Sequence, residues 1–128
     1  MSKIKKLGNV KNLINDTIVW LDYTSAKYLR SQLQEFQALL STLYPNDIVK
    51  ITLNANPSAL LSGNFKSNNE VQELRFAKLN NQLGSLIPAN VTPDLMIHKE
   101  YPKALFLILE RAAKLSLSGL PVYFQPLT

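Results

Sequence analysis

Leu29, Leu33, Phe36, Leu40 and Leu43 recur along the chain at alternating spacings of four and three, which draws one apolar stripe along a helix. Lys27, Arg30, Gln34, Glu35 and Gln37 fall mostly off that stripe. Thr24 or Ser25 stands where a side-chain oxygen could cap the helix, and Tyr44-Pro45 ends it, because the residue before proline is pushed out of the helical region. On either side lie short β-rich runs. Thr17–Leu21 is continuously apolar and ends at Asp22, as suits a strand buried on both faces. Ile48–Leu53 alternates and closes at Asn54-Ala55-Asn56-Pro57, a run of turn formers.

The second half of the chain repeats this alternation less clearly. Residues 67–83 read as a helix: Ser67 and Glu70 have capping-box spacing, and Phe76, Leu79, Leu83 and Leu86 share a face. The competing reading is a hairpin over 59–79 turning at Asn68-Asn69. Asp94–His98 reads as a third strand. Pro102 opens a last helix, apolar on most sides, that Gly119 and Pro121 stop, and Val122–Phe124 reads as a fourth strand.

The expected fold is therefore α/β, one small domain over residues 1–128. Its order is β-α-β-α-β-α-β, with a mostly parallel four-stranded sheet. If 59–79 is a β-hairpin, an α+β sandwich of thioredoxin-like or ferredoxin-like type takes its place. From Asp16 to Leu79 the element order is similar to that of small thioredoxin-like proteins of mitochondrial ribosomes and respiratory complex I, without their glycine-rich start to the first helix. The last helix and strand resemble the end of a STAS domain without its serine- or threonine-bearing loop. Neither resemblance implies an activity for this chain.

Composition narrows the chemistry. The 128 residues contain no cysteine and one histidine, which excludes thiol catalysis, disulfides and thiolate metal sites and argues against a structural zinc site. The four glycines stand alone at 8, 63, 84 and 119, so no nucleotide-binding glycine motif is present, and no cofactor or metal is expected. The net charge of +5 is concentrated in Lys3, Lys5, Lys6 and Lys11. This basic arm, residues 1–12, is the candidate phosphate or nucleic-acid contact. No apolar run is long enough to span a bilayer, and no secretory leader is evident, so an intracellular, cytoplasmic protein is expected, with the mitochondrial matrix as the other address.

In open parallel sheets ligands gather beyond the carboxyl ends of the strands. Asp22, Asn54, Asn56, His98 and Glu100 fall there on this reading and form the candidate ligand-binding set. Asp22 or Glu100 would act as base and His98 as proton carrier. The same residues also read as caps and turns, with the stretch Met96–Lys103 as a strand-to-helix junction. No residue is singled out as catalytic. The missing catalytic motifs and the apolar excess of the last helix favour a non-catalytic interaction module or assembly subunit, whose partner is protein, a second copy included. A ribonucleoprotein component using the basic arm is one alternative. A small ligand-binding domain or enzyme with its site at the strand ends is the other.

Overall fold

The computed structural model describes residues 4–9, 17–61, 67–117 and 123–125. The chain forms two compact units, Met1–Asn54 and Ala55–Thr128.

In the first unit, β1 (Ile4–Asn9), β2 (Thr17–Asp22) and β3 (Ile48–Thr52) make one sheet in that order, and α1 (Leu29–Leu40) connects β2 to β3. β1 pairs antiparallel to β2, with Ile4 opposite Leu21 and Asn9 opposite Thr17. The register slips between Lys6 and Gly8. β2 pairs parallel to β3, from Ile18 opposite Ile48 to Asp22 opposite Thr52. Side chains alternate across a strand, so Val19, Leu21 and Tyr23 share one face, and all three are buried. Leu29, Leu33 and Phe36 form the buried stripe of α1, each burial stabilising the unit by about 2 kcal/mol.

The α1 helix starts later than its capping residues predict. Ser25 Oγ accepts from the backbone N–H of Lys27, 3.1 Å away, and so builds a turn rather than a cap. The cap position falls to Tyr28, whose side chain makes no capping bond. The helix ends at Leu40, before Tyr44-Pro45-Asn46-Asp47 turns the chain. There Asn46 takes φ 79°.

The second unit is helical. A 3-10 turn at Pro57–Leu60 precedes α2 (Asn68–Leu83), and 3-10 turns at Gly84–Leu86 and Pro93–Leu95 lead to α3 (Tyr101–Ser116). Ser67 caps α2 as its spacing predicts, its Oγ accepting from Glu70 N at 3.1 Å. Among its described residues, Pro57, Leu60, Leu79, Leu83, Val91, Met96, Tyr101, Ala104, Leu105, Ile108, Ala112 and Ala113 are buried apolar residues. On α3 the residues at 101, 104, 105, 108 and 112 trace a single helical face, whose small alanines let a neighbour approach closely.

The expected four-stranded, mostly parallel sheet is not what forms. Among the described residues only β2 and β3 are parallel, and the third member of their sheet is the antiparallel β1 from the segment read as a basic arm. The expected strand Asp94–His98 is a 3-10 turn at Pro93–Leu95 followed by a turn into α3. Its apolar residues serve instead to bury Met96 completely. Of the expected strand Val122–Phe124, Val122 lies outside the described residues, and Tyr123 and Phe124 carry no strand. The hairpin reading fails as well, since 68–83 is helix. Gly63, Gly119 and Pro121 lie outside the described residues.

Candidate functional site

The carboxyl ends of β2 and β3 meet at a short polar rim. Asp22, half-buried, is the last residue of β2. Past it the pairing extends one bond further, Tyr23 N donating to Thr52 O at 3.0 Å. Asn54 Nδ2 donates to the carbonyl oxygen of Thr24 at 3.0 Å and ties the segment after β3 to the loop after β2. Trp20 Nε1 donates to Thr52 Oγ1 at 3.0 Å, and Lys50 Nζ sits 4.5 Å from the centre of the Trp20 ring.

Beneath this rim the loop Tyr23–Tyr28 is anchored from α1. Tyr23 is 1% exposed and its phenol donates to Glu35 Oε1 at 2.5 Å. Burial first, then the hydrogen bond and the negative charge of Glu35, hold that phenol neutral well above its ordinary range. Gln32, 2% exposed, donates through Nε2 to the carbonyl oxygen of Ser25 at 2.8 Å. Its Oε1 is buried and has no hydrogen-bond donor among the described residues. The rim thus carries one half-buried carboxylate, that of Asp22, while the carbonyls of Thr24 and Ser25 are taken up by Asn54 and Gln32.

The remaining candidates lie in the second unit. Asn56 Oδ1 accepts from Ser58 N at 3.0 Å and caps the 3-10 turn, as a turn former should. His98 is exposed in the turn before α3, with Nε2 3.1 Å from Ser58 Oγ. Arg75 on α2 reaches the same hydroxyl, Nη2 to Oγ 3.5 Å, and donates through Nη1 to Met96 O at 2.8 Å. Glu100 occupies the cap position of α3 without a side-chain capping bond. Asn56 and His98 therefore converge on Ser58, whereas Asp22 and Asn54 belong to the strand ends of the first unit.

Ser58, Arg75, Tyr23, Glu35 and Gln32 had no sequence signal as site residues. Their partners are twelve, seventeen, twenty-one or forty positions away, except for the Gln32–Ser25 pair inside one helix entry. Of the basic residues expected to meet phosphate, Lys5 and Lys6 lie in β1, opposite Trp20 and Val19, while Lys3 and Lys11 are outside the described residues. Among the described residues no group of three His, Asp or Glu side chains could hold a metal ion, and no helix is long and apolar enough to cross a membrane.

A family model described as "Putative O-methyltransferase" matches residues 2–127. No curated protein and no solved structure matches the chain. The family match overturns the expectation of a non-catalytic interaction module and, with it, of protein–protein interaction as the defining activity. The apolar excess of α3 that motivated that expectation is partly used inside its own unit, where Phe106 meets Phe124 edge-on at 6.0 Å and 82°. The chain belongs to the family described as "Putative O-methyltransferase".

Proposed function

We propose that this chain works in methyl transfer to an oxygen nucleophile, and that the acceptor hydroxyl is held at the carboxyl ends of β2 and β3 with Asp22 as its proton acceptor. One observation carries the assignment. Asp22 is the carboxylate that ends the central strand, on the edge of the parallel pair where ligands of such sheets collect. A hydroxyl is a poor nucleophile until a base takes its proton, and a carboxylate in hydrogen-bond reach supplies that base. Asn54 and Thr24, tied to each other, brace the rim beside it.

The reaction class uses an electrophilic methyl donor, S-adenosylmethionine being the usual one. The described residues of the rim do not fit that molecule. The loop from Tyr23 to Tyr28 has no glycine to let a nucleoside approach the backbone, and its first side chain is turned into the core of the unit. The rim is matched to the acceptor.

The test is transfer of label from tritiated S-adenosylmethionine to a panel of phenols, sugars and RNA, run on wild type, Asp22→Asn and Glu110→Gln. Loss of a general base lowers turnover by about a hundredfold or more, so Asp22→Asn should fall by that much while Glu110→Gln does not. Wild-type turnover by a folded Asp22→Asn protein would remove Asp22 from the reaction.

A further inference from the structure

We propose that Ser58, Arg75 and His98 form a seat for a phosphate group, separate from the methyl-transfer reading and resting on no part of it. The three side chains come from three elements of the second unit. Ser58 is on the Pro57–Leu60 turn, Arg75 is on α2, and His98 is in the turn before α3. They meet at one atom: Ser58 Oγ lies 3.1 Å from His98 Nε2 and 3.5 Å from Arg75 Nη2. Asn56 fixes Ser58 through its backbone N–H, and Met96 O fixes the guanidinium through Nη1. The donors are mounted before any ligand arrives.

Arg75 is the reason to expect an anion. It is half-buried, its Nε is buried without an acceptor, and no carboxylate pairs with it among the described residues. A guanidinium withdrawn from water is stable when a counter-charge and acceptors are supplied, and its rigid fork suits oxyanions. Ser58 and His98 are both exposed, so solvent, and therefore a ligand, has access.

The occupant follows from the donor arrangement. A guanidinium, a hydroxyl and an imidazole on separate elements match the several oxygens of a tetrahedral phosphate better than the two coplanar oxygens of a carboxylate. Hydrolysis through a Ser58–His98 pair is the weaker reading. Among the described residues no carboxylate orients the other imidazole nitrogen, and Arg75 already donates to the hydroxyl that would have to attack.

His98 is the chain's only histidine, so its imidazole C2–H resonance needs no assignment. That signal is followed during titration with inorganic phosphate, methyl phosphate and acetate, at mildly acid pH and constant ionic strength set with chloride. Both phosphates should give a saturable shift with Kd in about the millimolar range. Arg75→Gln should weaken binding by about tenfold, as expected for one charge-assisted contact. Ser58→Ala, at an exposed position, guards against loss of fold in the arginine variant and should also weaken binding. A shift that stays linear, one that Ser58→Ala leaves unchanged in affinity, or equal binding of acetate would overturn the proposal.

Discussion

Tyr23 and Glu35 are joined by a 2.5 Å hydrogen bond that pins the end of β2 to the middle of α1. The phenol donates and the carboxylate accepts, a charge-assisted pairing with one buried and one half-buried partner. Tyr23→Phe keeps the ring and removes the proton, so chemical denaturation should show a loss of about 1–2 kcal/mol. The same substitution should change the alkaline limb. Tyr23 and Tyr101 are both raised from the ordinary phenol value of 10.0, Tyr101 by burial to about 12. Their folded forms hold protons that the unfolded chain releases. The associated stability is whole below pH 10 and is lost as pH rises, through about 12 for Tyr101. Each phenol contributes a slope of at most about 1.4 kcal/mol per pH unit in that window. Tyr23→Phe and Tyr101→Phe should each make the decline shallower in denaturation series collected at stepped alkaline pH. A decline of unchanged steepness in both variants would contradict the burial argument.

What could be read from the sequence was what is local. The stripe Leu29, Leu33 and Phe36, the cap Ser67 with Glu70, and Pro102 in the first turn of α3 all act through neighbours within four residues, and each is found where its pattern places it. What could not be read depends on pairing. The residues of β1 carry adjacent lysines that look like a solvated arm, yet a sheet edge needs only backbone groups and a partner, and β2 supplies one. Leu95, Met96 and Ile97 look like a strand, but without a partner the same apolar run buries Met96 from a turn. That β2 ends at Asp22 was legible, because a strand end is a local feature. Ser58 and Arg75 were not, since nothing in their surroundings along the chain announces His98.

The turn before β3 offers a clean backbone test. Pro45 and Asn46 occupy the middle of Tyr44–Asp47, closed by Asp47 N donating to Tyr44 O at 3.1 Å and Tyr44 N to Asp47 Oδ2 at 2.8 Å. A φ of 79° after proline is the third position of a type II turn, which favours glycine and tolerates asparagine. Asn46→Gly should therefore raise stability slightly or leave it level, and Asn46→Val should lower it by about 1–2 kcal/mol. Thermal melts of the two variants decide it: equal melting temperatures would mean the turn is not held in this form.

Helix α2 is stopped and started by single residues. Ser67→Ala removes the bond to Glu70 N and should cost about 1 kcal/mol, with Ser67→Asp restoring most of it. At the other end Gly84 takes φ 53° and ψ −118°, a conformation that L side chains avoid, while a Cβ there would meet nothing within 4 Å. Gly84→Ala should thus cost about 1–2 kcal/mol from backbone strain alone. Hydrogen exchange of the terminal amides of α2 separates the two variants, each loosening its own end.

The parallel pair carrying Asp22 has its own reporter, because Trp20 is the only tryptophan. Its indole N–H donates to Thr52 Oγ1 at 3.0 Å, and the facing Lys50 stands over the ring at 4.5 Å. Thr52→Val preserves shape and strand propensity but removes the acceptor, so emission should move to the blue and stability fall by about 0.5–1 kcal/mol. Lys50→Met keeps the stem over the ring and removes only the charge. It should cost about 0.5–1 kcal/mol, and less in high salt if the contact is electrostatic. The Tyr23 N to Thr52 O bond uses backbone atoms alone, so neither substitution should detach the end of β2. A fluorescence change in Thr52→Val without loss of the Tyr23 amide's protection from exchange is the expected pair of results. Loss of that protection would mean that the indole bond, and not the backbone pairing, holds the strand ends together.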